Sequence, residues 1–218
     1  MSQVAQSPAV RRDAQEAILD AAEMVFAENG FHGATTRAIA ERAGANAALI
    51  HYYFGSKEAL FETVFARRSE AINAERRERL KALQAKGQPS LDAILDTLLR
   101  PTVALGHDPA RGGAHYARLL VHVASGTDAR SRRMTGEHYD AIAQLFIDEI
   151  AAAVPGLSRQ AAVHCYLNAI AIAISLMAPT GRAQNLMPAP ARAETLNEIL
   201  ARNVRFIAAG IRAMAAPG

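Results

Sequence analysis

Tryptophan is absent and cysteine occurs once. The single thiol, Cys165, cannot close an intramolecular disulfide, and a zinc site built on thiolates is excluded within one chain. A reducing, cytoplasmic setting is the expectation. The longest nearly uncharged stretch, 165–180, falls short of the ~20 residues a membrane helix needs and carries Asn168, so it reads as a buried helix with no membrane partner. The opening stretch 1–10 is polar and rich in small residues, without the apolar centre of a secretory signal, so no export is expected. Also missing are a phosphate-cradling glycine loop, a nucleophile elbow and a paired-histidine protease helix, so neither an enzyme nor a cofactor is expected. His164 and Cys165 are adjacent, point apart on a helix, and do not make a catalytic pair.

What remains is a composition suited to helices. Half of the 218 residues are hydrophobic, alanine is abundant, and glycine and proline are scattered, which points to a globular all-α protein with a substantial core. The net charge of +3 is modest, and its distribution is more informative than its sum. Through Lys57 five basic residues stand against six acids, four of them between Asp13 and Glu23. Charge alone therefore does not single out a nucleic-acid-binding face.

Apolar residues Ile18, Leu19, Ala22, Val25 and Phe26 recur at three- and four-residue spacing, which predicts an amphipathic helix over 13–29. Asp13 with Glu16 forms a candidate capping box at its start, and Asn29-Gly30 a left-handed stop at its end. A short helix over 36–43 is entered through Thr35 or Thr36 and closed by Gly44. Asn46 caps a third over 47–53, Gly55 breaks the chain, and Ser56 caps a long fourth helix to about residue 86. Further helices are expected from Ser90, disturbed at Pro101, and over 113–124, 129–154, 159–178 and 191–215.

The second and third helices have the chemistry of a helix-turn-helix, in which one helix braces on the DNA backbone and the next enters the major groove. At the start of the third, Asn46, Ala47 and Ala48 are small or polar, so backbone can approach base edges and alanine methyls can touch thymine methyls. His51, Tyr52 and Tyr53 add hydrogen-bonding groups. Thr35, Thr36, Arg37 and Lys57 lie where hydroxyls, positive charge and helix N-termini can hold phosphates. Simpler roles stand beside these. Thr36 and Ser56 can be caps alone, one of the two adjacent tyrosines is expected to pack inward against Phe54 and Phe31, and a lone histidine such as His51 is more often structural than functional. Arg11 and Arg12 fit either a DNA-contacting arm or a solvated tail.

Ala17-Ile18-Leu19-Asp20-Ala21-Ala22, Phe26-Ala27-Glu28-Asn29-Gly30-Phe31, Thr35-Thr36, Ile39-Ala40, Ala43-Gly44 and Ile50-His51-Tyr52-Tyr53-Phe54-Gly55-Ser56-Lys57-Glu58-Ala59-Leu60 follow one another in an order and spacing that resembles the N-terminal domain of TetR-type transcriptional regulators. The resemblance implies a DNA-binding domain over 1–57, with Thr36, Tyr52 and Lys57 on phosphates and Arg37, Asn46, Ala47, Ala48 and His51 on bases or backbone. Departures limit the transfer: the family usually has Ser, Tyr and His where Asn46, His51 and Tyr53 stand. The resemblance further implies that 58–218 dimerises and binds a small molecule, and the second half has a looser likeness to regulators that respond to acyl or fatty-acid-like compounds.

In the last helix Leu196, Ile199, Leu200, Asn203, Phe206, Ile207, Gly210, Ile211 and Met214 make a near-heptad stripe, with Gly210 permitting close approach. Paired with the helix over 159–178 about a two-fold axis, it would build the four-helix bundle of a homodimer. Two recognition helices would then sit roughly 34–36 Å apart, matching successive major grooves of a palindromic DNA operator. Candidate pocket residues are Tyr116, Leu119, Leu120, Val123, Tyr139, Ile142, Phe146, Tyr166 and Ile170, mostly apolar with a few hydroxyls, which suits a small apolar or amphipathic effector that releases a repressor. Two alternatives stand beside this. A metal-responsive regulator would draw on His115, His122, His138 and His164, which lack a carboxylate cluster, so no metal is expected. A helical interaction protein without DNA binding would retain the fold alone.

Overall fold

The computed structural model describes residues 8–108, 112–177, 181–187 and 192–215, with backbone only for 8–11 and 183. Among them are ten helices and no strand: α1 (Pro8–Gly33), α2 (Thr36–Ala43), α3 (Ala47–Phe54), α4 (Lys57–Gln84), α5 (Leu91–Gly106), α6 (Gly113–Ser125), α7 (Ala129–Ala153), α8 (Arg159–Met177), α9 (Arg182–Leu186) and α10 (Leu196–Ala215).

Most boundaries follow from local chemistry. Thr35, Asn46, Ser56 and Ser90 each hold extended backbone and accept a hydrogen bond from an amide two or three residues on, at 2.8–3.3 Å, which satisfies a donor the helix itself cannot. Gly44 closes α2 in the left-handed region at φ 62°. Gly30, at φ 66°, breaks α1 where the Asn29-Gly30 stop was expected, and one further turn carries the chain to Gly33.

Three expectations need correction. The first helix begins at Pro8, a residue suited to a first turn because its missing N–H would be unbonded there anyway. Asp13 therefore lies inside the helix, the Asp13/Glu16 capping box does not form, and Glu16 pairs with Arg67 instead. The last helix begins at Leu196, set by a capping box absent from the expectation: Glu198 accepts from the Thr195 amide at 2.9 Å, and Thr195 Oγ1 accepts from the Glu198 amide at 3.3 Å. Residue 191, the expected start, lies outside the described residues. Pro101 sits within α5 without ending it. Proline removes the amide that would bond Thr97, and the Arg76 guanidinium, reaching over from α4, donates to the neighbouring Leu98 carbonyl at 3.0 Å.

Two buried clusters organise the packing. The first joins α1, α2, α3 and the first half of α4, from Ile18 to Ile72, and continues without a break into Tyr116, Leu119, Leu120 and Val123 of α6. The second gathers α5, α7, α8 and α10 around Leu95, Leu98, Phe146, Ala169 and Leu200. Helix α4 supplies side chains to both, so its N-terminal half packs with the helices before residue 57 and Leu80 with those after. By length and composition α8 could cross a bilayer; here one face packs on the core through Ala162, Cys165, Ala169 and Ala173, and burial pushes the Cys165 thiol up.

Candidate nucleic-acid interface and interior cavity

Helices α2 and α3 are short, and each buries a narrow strip: Ile39 and Ala40 from one, Ile50 from the other. The opposite faces stay in solvent. Thr35, Arg37, Asn46, Ala48, His51 and Tyr52 are exposed, while Thr36, Ala47, Tyr53 and Lys57 are half-buried. Thr35 is the cap of α2, so Thr36 is not needed for that task. Tyr52 is 67% exposed and rests edge-on against Tyr53 at 5.1 Å, and Tyr53 packs on the core, so the adjacent tyrosines divide between outward and inward roles. His51 Nδ1 lies 3.0 Å from the Gly55 carbonyl; a carbonyl only accepts, so Nδ1 carries a proton and Nε2 is the ring nitrogen left for another partner. Arg37 pairs with Glu41 at 2.9 Å on the surface, a contact weak enough to yield to a phosphate.

Lys57 sits differently from its expected role. Its Nζ donates to the carbonyls of Phe31 and Ala34, both at 3.0 Å, and lies 4.5 Å above the Phe31 ring. These carbonyls flank the break after α1, so the ammonium fastens that junction to the start of α4. Arg130 of α7 stacks on the same ring at 3.6 Å.

Three acids of α1 are drawn away from this face, while Glu28 pairs with Arg42 of α2 at 2.7 Å. Asp20, Glu16 and Glu23 meet Arg67 of α4 at 2.8, 3.1 and 3.2 Å, and Glu23 also takes a two-pronged bond from Arg68 at 2.8 and 2.9 Å. Burial would lower the Arg67 guanidinium, but its hydrogen bond and charge contact with Asp20, then Glu23, outweigh that and leave it raised. Arg11 has no described side chain, and Arg12 is exposed within α1.

Behind the helix-turn-helix lies a cavity of about 240 Å³ walled by α4, α5, α6, α7 and α8. Four expected pocket residues, Leu120, Tyr139, Tyr166 and Ile170, line it. The other five do not: Leu119 and Val123 belong to the first core, Ile142 and Phe146 to the second, and Tyr116 is buried behind the wall, its hydroxyl 2.8 Å from that of Tyr139. Periodicity marked all nine as apolar and inward but could not separate filled space from empty space. Burial raises Tyr116 strongly, and Tyr139 and Tyr166 as well, so all three phenols are protonated at neutral pH.

Sequence reasoning missed Phe65, Arg76 and Thr102, which also line the cavity. Arg76 is 2% exposed, and burial pushes its guanidinium below the ordinary value. The only signal for it was Asn73 one helical turn earlier, whose Oδ1 accepts from Nη1 at 3.3 Å. Among the described residues no three of His, Cys, Asp and Glu converge, and the four histidines considered for metal are spread over α6, α7 and α8.

The expected dimer stripe on α10 splits in two. Leu200, Ile207 and Ile211 pack into the chain's own core, which removes them from any interface. Leu196 and Ile199 are half-buried against that core. Half-buried Asn203 and exposed Phe206, Gly210 and Met214 lie on the opposite side with Ile199, at spacings of three and four. Neighbouring α8 turns His164, Leu167, Asn168, Ala171 and Ser175 outward at the same spacing, so each of the two packed helices presents an exposed strip of apolar, small and uncharged polar residues. Phe206 is 68% exposed there.

Comparison with known proteins agrees with this architecture. The model described as bacterial regulatory proteins, tetR family, matches residues 18–64, and that described as tetracyclin repressor-like, C-terminal domain, matches residues 96–210. The HTH-type transcriptional regulator UidR of Escherichia coli (strain K12) is 30% identical over 91 residues, 42% of this chain and 42% of UidR. RutR of the same organism is 33% identical over 138 residues, 62% of this chain and 52% of RutR. The chain thus spans 42% to 52% of the length of these curated relatives. The solved structure of the fatty acid degradation regulator FadR from Bacillus halodurans shares the fold, with a TM-score of 0.67 at 16% identity over 95% of this chain and 98% of that one. With a helix-turn-helix that matches one half of the family's pattern and a helical bundle that matches the other across more than half of the chain, this protein belongs to the tetR family of bacterial regulatory proteins.

Proposed function

We propose that the protein is a homodimeric transcriptional repressor that reads a palindromic operator through α3 and releases it when a small effector fills the cavity. The observation that carries this is the shared wall. Phe65 of α4 and Leu120 of α6 line the cavity and also belong to the continuous core that holds α1, α2 and α3. Packed side chains do not deform gradually, so a ligand that displaces α6 or α4 also moves the helix-turn-helix. In a dimer that motion changes the separation of the two recognition helices, which must stay near one helical turn of DNA. The effector's influence is set by its different affinity for the two spacings.

Base contacts are assigned to Asn46, Ala47, Ala48 and His51, and phosphate contacts to Thr35, Thr36, Arg37 and Tyr52, with Tyr53 supporting Tyr52 from the core side. Lys57 acts chiefly by holding the α1–α2 junction in place. The exposed strips of α8 and α10 are assigned to the dimer, through Ile199, Asn203, Phe206, Gly210 and Leu167. Fluorescence anisotropy with DNA from upstream of the gene, beside scrambled DNA, tests the reading. Selective binding that weakens with salt and is lost in Ala48→Glu and Tyr52→Ala is expected. Equal affinity for both DNAs and for both variants would refute it.

A further inference from the structure

Arg76 is a full positive charge in the interior without an anion. Its three nitrogens contact only neutral acceptors: the Leu98 carbonyl at 3.0 Å, Thr102 Oγ1 at 2.9 Å and Asn73 Oδ1 at 3.3 Å. A guanidinium has five N–H bonds, so two find no acceptor among the described residues. No carboxylate lies in ion-pair reach; Asp140, the only acid in the cavity lining, is solvent-exposed and outside that reach. The segments outside the described residues contain no Asp or Glu.

Capping the carbonyl beside Pro101 does not explain an arginine. One neutral donor would satisfy Leu98, whereas burying a charge without a counter-charge is costly. The surrounding groups are donors as well. Tyr166 lines the cavity and its hydroxyl has no hydrogen-bond partner among the described residues, and Thr102, whose oxygen is occupied by Arg76, keeps a hydrogen to give. Thr135, Tyr139, Asp140 and Gln144 are the other polar residues of the lining, and the rest is apolar, with Leu120 and the isoleucines of α7 and α8 prominent. A space of ~150 Å³ holds a benzene molecule, so 240 Å³ admits a ring or short chain with a head group.

We propose that the cavity takes a compact organic carboxylate, its apolar body against the isoleucines and Leu120 and its head group on the Arg76 guanidinium, with the Tyr166 hydroxyl as a second donor. This rests on the reading of the cavity as the effector site. Charge selects for the anion, and the fork of N–H bonds for a planar carboxylate.

The test is isothermal titration calorimetry of the full-length protein with octanoate and 3-phenylpropanoate, beside octanamide, 3-phenylpropanamide and octylamine. The carboxylates should bind at least about tenfold more tightly than their amides, from charge-assisted hydrogen bonds, with the amine weakest. Arg76→Gln, which keeps a donor for Leu98, should abolish the preference while far-UV circular dichroism stays unchanged. Tyr166→Phe should weaken carboxylate binding severalfold and leave the amides alone. Equal affinity of carboxylate and amide for the unaltered protein, a preference for the amine, or no carboxylate binding up to millimolar concentration would overturn the proposal, whatever the folding of the variants. Operator anisotropy with the same compounds separates the two readings. Selective carboxylate binding that leaves the operator bound supports the subsite and defeats effector release, whereas release without carboxylate preference does the opposite.

Discussion

Glu23→Ala tests whether the helix-turn-helix is locked to the rest of the molecule by a buried ion pair. Glu23 is 2% exposed on α1, and its carboxylate receives both prongs of Arg68 and one bond from Arg67. The start of α6 closes over the same place, since a Cβ on Gly112 would lie 3.3 Å from both Glu23 Oε1 and Arg68 Nη2. Removing one member of a buried pair costs about 3–5 kcal/mol, mostly because the other charge is left unmatched. Arg67 would still hold Asp20 at 2.8 Å and Glu16 at 3.1 Å, so only Arg68 loses its anion and the lower end, about 3 kcal/mol, is expected. For a chain of this size that lowers Tm by roughly 6–12 °C in differential scanning calorimetry. Glu23→Gln, which keeps one accepting oxygen, should lose less. Arg68→Ala added to Glu23→Ala should cost little more, because the orphaned charge has gone. A loss below about 0.5 kcal/mol for Glu23→Ala would refute the reasoning and mean that Arg68 simply turns to solvent.

Phe206→Glu places a charge in the exposed face of α10 and should convert the dimer to monomer in sedimentation velocity at unchanged helicity; a persistent dimer would locate the interface elsewhere. Asp128 caps α7 by accepting from the Ser131 hydroxyl at 2.6 Å and the Ser131 amide at 3.1 Å, bonds that hold its carboxyl at about 2, below the ordinary 3.8. A lowered carboxyl stabilises the fold fully above the unfolded value and loses that effect as pH falls from there through about 2, so Asp128→Ala should flatten this part of the acid limb of Tm. The limb should not vanish, since Glu198, held at about 2 chiefly by Arg192, titrates in the same range.

The sequence by itself determined the helices and most of their ends. Thr35, Asn46, Ser56 and Ser90 act on amides two or three residues away, and Gly30 and Gly44 act through their own φ, so nothing distant is needed to read them. The helix-turn-helix was legible for the same reason: its elements lie within one short span and keep fixed spacings. What only the tertiary structure decided depends on partners far along the chain. The run Glu75-Arg76-Arg77-Glu78-Arg79 reads as a solvated face, yet Arg76 turns inward to Leu98 and Thr102, and Asn73 beside it reaches the His138 carbonyl. Lys57 looks like a free cation until Phe31 and Ala34 are folded against it. On α10 one apolar stripe divides into Leu200, Ile207 and Ile211 facing inward and Phe206 and Met214 facing out, because α5 and α8 cover only one side. Periodicity identifies apolar residues on a helix; whether they meet a neighbour, a cavity or solvent is fixed by the packing of other helices, which no local pattern encodes.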